Sequence, residues 1–106
     1  MNTDVSVRQN LAESRFEIPV DGVFAVAEYE LANGSIRFTH TRVPPELQGR
    51  GLAITLVKAG LQAAADKGWS VIPQCEFFAA DMRKHPETRG LLSEEGRELL
   101  DGPVQP

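Results

Sequence analysis

The sequence has little of several features that would identify a secreted, membrane or metal-binding protein. It contains a single cysteine, Cys75, which excludes an internal disulfide framework and a cysteine-based zinc site, and we expect no metal. No apolar run approaches the roughly 20 residues that a membrane-spanning helix needs. The N-terminus has no basic stretch followed by an apolar one, so no secretory signal is visible. These absences predict a cytoplasmic protein without a membrane partner.

The sequence also lacks an excess of positive charge. Lysine and arginine total 11 against 15 aspartates and glutamates, which gives a net charge of −4. Because proteins bind nucleic acid largely by neutralising phosphates, this balance argues against a nucleic-acid partner. With 106 residues, 42% of them hydrophobic, the chain predicts one small domain over residues 1–106. The oligomeric state is left open.

The first half of the chain shows the two-residue alternation that is typical of strands. Asp21-Gly22 and Asn33-Gly34 are dipeptides that favour two-residue hairpin turns. The patterns therefore predict an antiparallel meander, with strands over residues 5–8, 16–20, 23–31 and 35–43.

The second half changes to helical spacing of apolar residues, beginning at Leu52. Lys67-Gly68 closes that helix with a basic last turn and a glycine cap, and Ser93 is typical of a helix N-cap. Phe77 and Phe78 are predicted to lie in the core. The predicted elements are a helix over residues 52–67, a strand over 69–73, a helix over 77–84, a short helix through 100 and a loose tail at 102–106.

The resulting order, β-β-β-β-α-β-α-α, predicts an α+β domain whose helices pack on a mixed sheet. The fourth and fifth strands flank a helix, so they should be parallel and joined by a right-handed crossover. Only residues 10–14 separate the first two strands, which is too short for a helix.

The junction between the fourth strand and the first helix, residues 48–53, has the sequence Gln-Gly-Arg-Gly-Leu-Ala. The first N–H groups of a helix have no intrahelical partner, and the helix dipole attracts anions to that end. Glycine lets the backbone approach a phosphate closely, and Arg50 adds a positive charge. These residues alone leave open a plain strand-to-helix turn, because short glycine patterns recur by chance.

The context of this turn resembles the coenzyme A signature of GCN5-related N-acetyltransferases, Arg/Gln-x-x-Gly-x-Gly/Ala. Here the matching residues are Gln48, Gly51 and Ala53, placed after a strand and at the head of an amphipathic helix. Two longer motifs resemble a subfamily of small single-domain acetyltransferase-like proteins, and the resemblance covers about residues 5–92. The motifs are Phe-Thr-His-Thr-x-Val-Pro-Pro-Glu-Leu at 38–47, and Pro-x-Cys-x-Phe with a later Arg-Lys-His-Pro, within 73–86.

The resemblance implies acetyl-coenzyme A as the cofactor and an amine as the acceptor, with a protein lysine or peptide included. It implies that backbone N–H groups of the turn hold the pyrophosphate and that the fourth strand bonds the pantetheine arm. The implied cofactor-binding residues are Thr41, Arg42, Val43, Gln48, Gly49, Arg50, Gly51, Leu52 and Ala53.

The sequence departs from the larger family in two places. The family carries helices between the first two strands, and these form part of the acceptor site, so their absence here implies an open acceptor groove. The family's tyrosine acid on the helix after the fifth strand is also missing. Asp81 and Met82 stand in the matching region, and the one tyrosine, Tyr29, lies on the third strand.

Two residues are candidate catalytic groups. Cys75 follows the fifth strand, near the implied thioester, where a thiol could accept the acetyl group or protonate the leaving thiolate. Its alternative role is that of a small buried hydrophobe. His40 is a candidate base, with a histidine bonded to a neighbouring strand as the alternative. Alternation predicts that Phe38, His40 and Arg42 share one face of the sheet, and Thr39, Thr41 and Val43 the other.

The sequence therefore predicts an acetyl-coenzyme A-dependent N-acetyltransferase, an acyltransferase acting by direct attack of an amine or through Cys75. A coenzyme A-binding module with little catalysis, serving as a sensor or interaction partner, is the alternative. The missing tyrosine and the short acceptor side favour that alternative. A third hypothesis, an interaction domain that keeps the fold but not the cofactor, conflicts with the intact Gln48, Gly49, Gly51 and Ala53.

Overall fold

The computed structural model describes residues 6–101 of the chain. Within these residues a five-stranded sheet is combined with three α-helices in the predicted order. The strands are β1 (Arg8–Asn10), β2 (Arg15–Val20), β3 (Val23–Ala32), β4 (Ser35–Arg42) and β5 (Ser70–Pro73). The helices are α1 (Leu52–Lys67), α2 (Glu76–Lys84) and α3 (Glu94–Asp101), with short 3-10 helices at Pro45–Leu47 and Pro86–Leu91.

The two hairpin turns adopt the backbone that their dipeptides predict. Asp21 and Gly22 have φ angles of 49° and 86°, and Asn33 and Gly34 have φ angles of 54° and 80°. Positive φ at both central residues gives the mirror-image turns whose twist matches that of the flanking strands. The antiparallel meander of the first half is therefore confirmed.

The sheet order β1-β2-β3-β4-β5 follows the chain, and β4 and β5 are parallel, as predicted for strands that flank a helix. The first strand was predicted over residues 5–8, but it begins at Arg8, and residue 5 lies outside the described residues. The strand pairs with β2 over Arg8–Asn10, and Arg8 and Asn10 both bond the Glu17 carboxylate of β2. The predicted tail at 102–106 also lies outside the described residues.

A β-bulge interrupts the pairing of β3 with β4. Tyr29 is opposite Phe38 and Glu28 is opposite His40, which leaves Thr39 as the extra residue on β4. Because one inserted residue reverses the alternation of side chains, the faces of β4 differ before and after the bulge.

The predicted sharing of a face by Phe38, His40 and Arg42 is consequently wrong. Thr41 is opposite the buried Ala27, so it shares with Phe38 the face that packs on α1 and α2. His40 and Arg42 lie on the other face, and we refer to that face of β1 to β4 as the open face. Sequence alternation could not reveal the bulge, because the extra residue is defined by the partner strand.

The helices approach the sheet closely on both faces. Phe38 stacks on Phe78 of α2 with ring centroids 3.9 Å apart, and a Cβ added at Gly60 of α1 would lie 2.9 Å from the Phe38 ring. On the opposite side α3 packs against β5, where a Cβ at Gly96 would lie 2.3 Å from the Val71 carbonyl oxygen. None of the helices within residues 6–101 is both long and apolar enough to cross a membrane.

We predict that Gly96→Ala destabilises the fold even though alanine is the better helix former. The new methyl group would collide with the Val71 carbonyl, and such overpacking costs about 1–3 kcal/mol of unfolding free energy. Urea unfolding measures this loss. Gly90→Ala is the matched control, because its Cβ would meet nothing within 4 Å. Equal stability of the two variants would contradict the close packing of α3.

Candidate functional site

The turn before α1 is built to leave backbone N–H groups available. Gly49 and Gly51 have φ angles of 85° and 74°, and Gly51 is the N-cap of α1 without a side-chain capping bond. The first turn of α1 carries no acidic residue. A left-handed residue followed by a helical one forms a concave array of N–H groups that suits an anion.

The space beside the two glycines of the turn is open. A Cβ added at Gly49 or Gly51 would meet nothing within 4 Å, so the backbone on this side is open. Gln48 donates its side-chain amide to the Val43 carbonyl oxygen at 3.2 Å, which links the end of β4 to the turn. The buried Leu47 anchors the same loop in the core. The turn is therefore held from both ends while its N–H side stays open.

The turn borders a cleft of about 1330 Å³, which we call the main cleft. Its walls and floor come from four parts of the chain. The turn and the start of α1 contribute Gln48, Gly49, Gly51, Leu52, Ala53 and Ile54. The end of β4 contributes Thr41, Arg42 and Val43, and α2 contributes Glu76, Phe77, Ala80, Asp81 and Lys84. The open face contributes Arg15, Phe24 and Val26. The structure thus brings together eight of the nine cofactor-binding residues predicted from the sequence, and Arg50 lies on the exposed turn beside them.

The strands β4 and β5 part beside this cleft. Their pairing ends where Phe38 is opposite Pro73, and one more bond follows, from the Cys75 N–H to the Phe38 carbonyl oxygen at 2.9 Å. Beyond that point, in the described part of the chain, β4 has a backbone partner on its β3 side alone. An unpaired strand edge can bond an extended ligand.

Cys75 lies where the strands part. It is the N-cap residue of α2 and is 8% exposed. Its Sγ lies 3.1 Å from the Oγ1 of Thr41, a distance at which either atom can donate the hydrogen bond. The bulge in β4 produces this contact, because it turns Thr41 toward the helices. Cys75 is therefore both packed in the core and in contact with a residue of the main cleft.

His40 does not join Cys75. Its side chain is 67% exposed on the open face, with Nδ1 3.7 Å from the Glu28 carboxylate, and Arg42 bonds the other Glu28 oxygen at 2.8 Å. The sheet separates this group from the Thr41–Cys75 contact. The two candidate catalytic residues therefore occupy opposite faces of β4.

Phe77 corrects a prediction about the core. Phe78 is fully buried, but Phe77 is 51% exposed and lines the main cleft. The two rings point to different sides because adjacent helical residues are about 100° apart. The spacing of Phe77, Ala80 and Lys84 marks the cleft side of α2, so the sequence did contain the signal.

The open face carries a buried carboxylate that sequence analysis did not single out. Glu17 is 1% exposed and accepts bonds from Asn10, Arg15 and Arg8. The Asn10 amide and the Arg15 guanidinium lower the Glu17 pKa to about 2, against the opposing effect of burial. The guanidinium carbons of Arg8 and Arg15 lie 5.9 and 5.7 Å from the Phe24 ring centroid. This group places two arginines on one aromatic ring.

Comparison with known proteins agrees with this architecture. A family model described as GCN5-related N-acetyl-transferase matches residues 15–91. The fold is similar to the solution NMR structure of a protein from Staphylococcus aureus, described as GCN5-like and as a candidate N-acetyltransferase. The TM-score is 0.67 with 25% sequence identity, over 87% of this chain and 91% of that chain. No curated protein sequence matches the chain.

We predict that Glu17→Gln destabilises the protein at neutral pH and that the difference from the wild type shrinks in acid. The folded-state pKa of Glu17, about 2, lies below its ordinary 4.5, so the stabilisation is complete above pH 4.5 and is lost as pH falls toward 2. Urea unfolding across this pH range measures the difference. Glu13→Gln, on the exposed turn before β2, is the control. If the difference in unfolding free energy between the wild type and Glu17→Gln stays constant down to pH 2, protonation of Glu17 is not coupled to stability as we predict.

Proposed function

Because the chain belongs to the GCN5-related N-acetyltransferase family, we propose that it transfers the acetyl group of acetyl-coenzyme A to an amine. One observation carries this proposal. The uncapped N-terminus of α1, the unpaired edge of β4 and Thr41 border one continuous cleft, and Thr41 contacts the buried Cys75 thiol. An anion site and an edge that can bond an extended arm thus lie along a single cleft, and the Cys75 thiol lies behind Thr41 at its wall.

The turn would hold the pyrophosphate through the backbone N–H groups of residues 49–53. Positive φ at Gly49 and Gly51 opens the backbone to the phosphates, and the dipole of α1 favours their charge. Arg50 is exposed on the turn and adds a cation. The backbone of residues 41–43 would bond the pantetheine amides, and the exposed Ile54 and Phe77 would pack against its apolar parts.

When bound, acetyl-coenzyme A would supply its acetyl group as an activated thioester beside Cys75. In one route the neutral amine nitrogen bonds the acetyl carbon, the thioester C–S bond breaks, and the Cys75 thiol gives its proton to the departing sulfur. The Cys75 thiolate then takes the proton that the attacking nitrogen loses. In the other route the Cys75 sulfur bonds the acetyl carbon, the thioester C–S bond breaks, and the proton of Cys75 passes to the departing coenzyme A sulfur. The amine nitrogen then bonds the acetyl carbon, the bond from that carbon to Cys75 breaks, and the proton that the nitrogen loses returns to the Cys75 sulfur. The Thr41 hydroxyl would orient the sulfur in both routes.

A coenzyme A-binding sensor with little catalysis is the second candidate. His40 lies on the face of β4 away from Cys75, and within residues 6–101 the hydrogen-bond partner of the thiol is the Thr41 hydroxyl alone. Asp81 and Met82 stand in the region where the family has its tyrosine, and the Asp81 side chain pairs with His85 at 3.4 Å. Both features favour binding over fast transfer.

We predict that Gly51→Ala weakens acetyl-coenzyme A binding. Left-handed backbone costs a residue with a Cβ about 1–2 kcal/mol, so relaxation of the turn should raise the Kd about 5- to 30-fold in calorimetric titration. Gly34→Ala is the matched control, because Gly34 has similar φ and equal space but lies in the distant hairpin. Unchanged affinity in a folded Gly51→Ala protein would refute the turn as the pyrophosphate site, and no heat with the wild type would refute cofactor binding.

We predict that Cys75→Ala lowers kcat for free-thiol release by at least about 100-fold with a panel of amines and peptides. Its Kd for acetyl-coenzyme A, which controls for folding, should stay close to that of the wild type. Intact-mass measurement separates the routes, because an acetyl adduct on the wild type that Cys75→Ala lacks indicates transfer through the thiol. An unchanged kcat would exclude both roles of Cys75. Tight binding without thiol release for any acceptor would identify the sensor instead.

A further inference from the structure

One border of the main cleft lies on the open face and is not used by the proposed cofactor contacts. Arg15, Phe24 and Val26 form this border, and Arg42 lies beside Val26 on the neighbouring strand. Because α1 and α2 cover the other face of β4, an acceptor that approaches from the open face meets these residues first. We call this part of the cleft the acceptor border.

Arg15 is held in place at the acceptor border. Its Nε donates to the buried Glu17 carboxylate at 2.9 Å, and its guanidinium lies over the Phe24 ring. Glu17 has two further partners, and its low pKa keeps it charged at neutral pH. The carboxylate and the ring therefore fix the plane of the Arg15 guanidinium before any ligand arrives.

The terminal nitrogens of Arg15 remain available. Among residues 6–101 its protein hydrogen bond uses Nε alone, and the side chain is 25% exposed in the cleft. A guanidinium fixed through Nε offers its two terminal amino groups to a planar anion. The Arg15 side chain is already partly shielded from water. A hydrogen bond from it to an anion is therefore stronger than one from a fully exposed arginine.

The charge around the acceptor border is positive. Arg8, Arg15 and Arg42 lie there with Glu17 and Glu28, so cations outnumber anions by one at this border. Glu76, Asp81 and Lys84 line the α2 side of the same cleft. A protonated amine that carries no other charge is repelled by this excess, whereas a carboxylate on the same molecule is attracted. The exposed part of Phe24 provides apolar contact for the methylene groups between them.

We propose that Arg15, with Arg42 beside it, binds a carboxylate of the acceptor, so that the preferred substrates are amines with an acidic group near the reacting nitrogen. This substrate class rests on the proposed acetyl transfer. Glu17 is a positioning residue in it, because it acts through the Arg15 guanidinium. The carboxylate can belong to a small amino acid or to an acidic residue that flanks a lysine, and the test separates these sources.

Two matched acceptor pairs test the preference at low ionic strength. ε-Aminocaproate and hexylamine differ in the carboxylate, and lysine peptides flanked by aspartate or by asparagine differ in charge with equal size. We expect kcat/KM to be about tenfold higher for the acidic member of the favoured pair, as for one hydrogen-bonded charge. The acceptor pair with the larger ratio of kcat/KM, acidic member over neutral member, identifies the source of the carboxylate. Added salt should reduce this ratio. Ratios near one in both pairs would overturn the proposal.

Variants assign the preference to its residues. Arg15→Gln should bring the ratio close to one, and Glu17→Gln should reduce it by releasing the guanidinium. Arg97→Gln, an exposed arginine of α3, is the control that should keep the wild-type ratio. If Arg15→Gln does not fold by circular dichroism, Arg42→Gln takes its place with a partial loss expected. A wild-type ratio of kcat/KM for acidic over neutral acceptors in the folded Arg15 or Arg42 variant contradicts the proposal. A large rise in the Kd of that variant for acetyl-coenzyme A also contradicts it.

Direct binding keeps the test independent of turnover. If no amine is acetylated, the proposed transfer fails, and calorimetry with coenzyme A present then compares the aspartate-flanked and asparagine-flanked peptides. Tighter binding of the acidic peptide, lost in Arg15→Gln but kept in Arg97→Gln, supports the acceptor border as a carboxylate site. Equal affinity for the two peptides overturns it.

Discussion

The site depends on one backbone hydrogen bond, from the Cys75 N–H to the carbonyl oxygen of Phe38. Before this bond β4 and β5 run as paired parallel strands with their buried side chains packed on α1 and α2. After it, one chain continues as the free end of β4 and the other turns into α2. A parallel pair cannot be opened at an arbitrary point without leaving buried polar groups unpaired. Here the opening coincides with a bulge and a helix start, so the freed backbone faces the main cleft.

The bulge then divides the chemistry between the two faces of the sheet. It turns Thr41 toward Cys75 and leaves His40 and Arg42 on the open face with Glu28. The thiol therefore lies in a packed, apolar setting beside Thr41, while the charged groups lie on the open face. In the proposed acetyl transfer, acceptor choice would depend on side chains of the open face, which no helix between β1 and β2 covers.

The open face is stabilised by hydrogen bonds and ion pairs around one buried carboxylate, that of Glu17. A buried carboxylate is costly to desolvate, and Glu17 tolerates burial because three neighbouring side chains bond it. Two of those partners, Arg8 and Arg15, lie over Phe24, so the same group that binds β1 to β2 also orients cations at the cleft. Buried polar networks of this kind fix a single arrangement of side chains when every member is satisfied.

Much of the fold follows from interactions between residues that are adjacent in the sequence, and these can be predicted from the sequence alone. The turns at Asp21-Gly22 and Asn33-Gly34, the end of α1 at Gly68 and the Ser93 cap of α3 each depend on a few adjacent residues. The glycines of the turn before α1 belong to the same class, and the signature around them indicated the family. Tertiary structure alone decided the rest, namely the bulge that separates His40 from Cys75 and the Glu17 cluster that orients Arg15. These features arise from pairing between strands, where register and burial are set by partners distant in the chain.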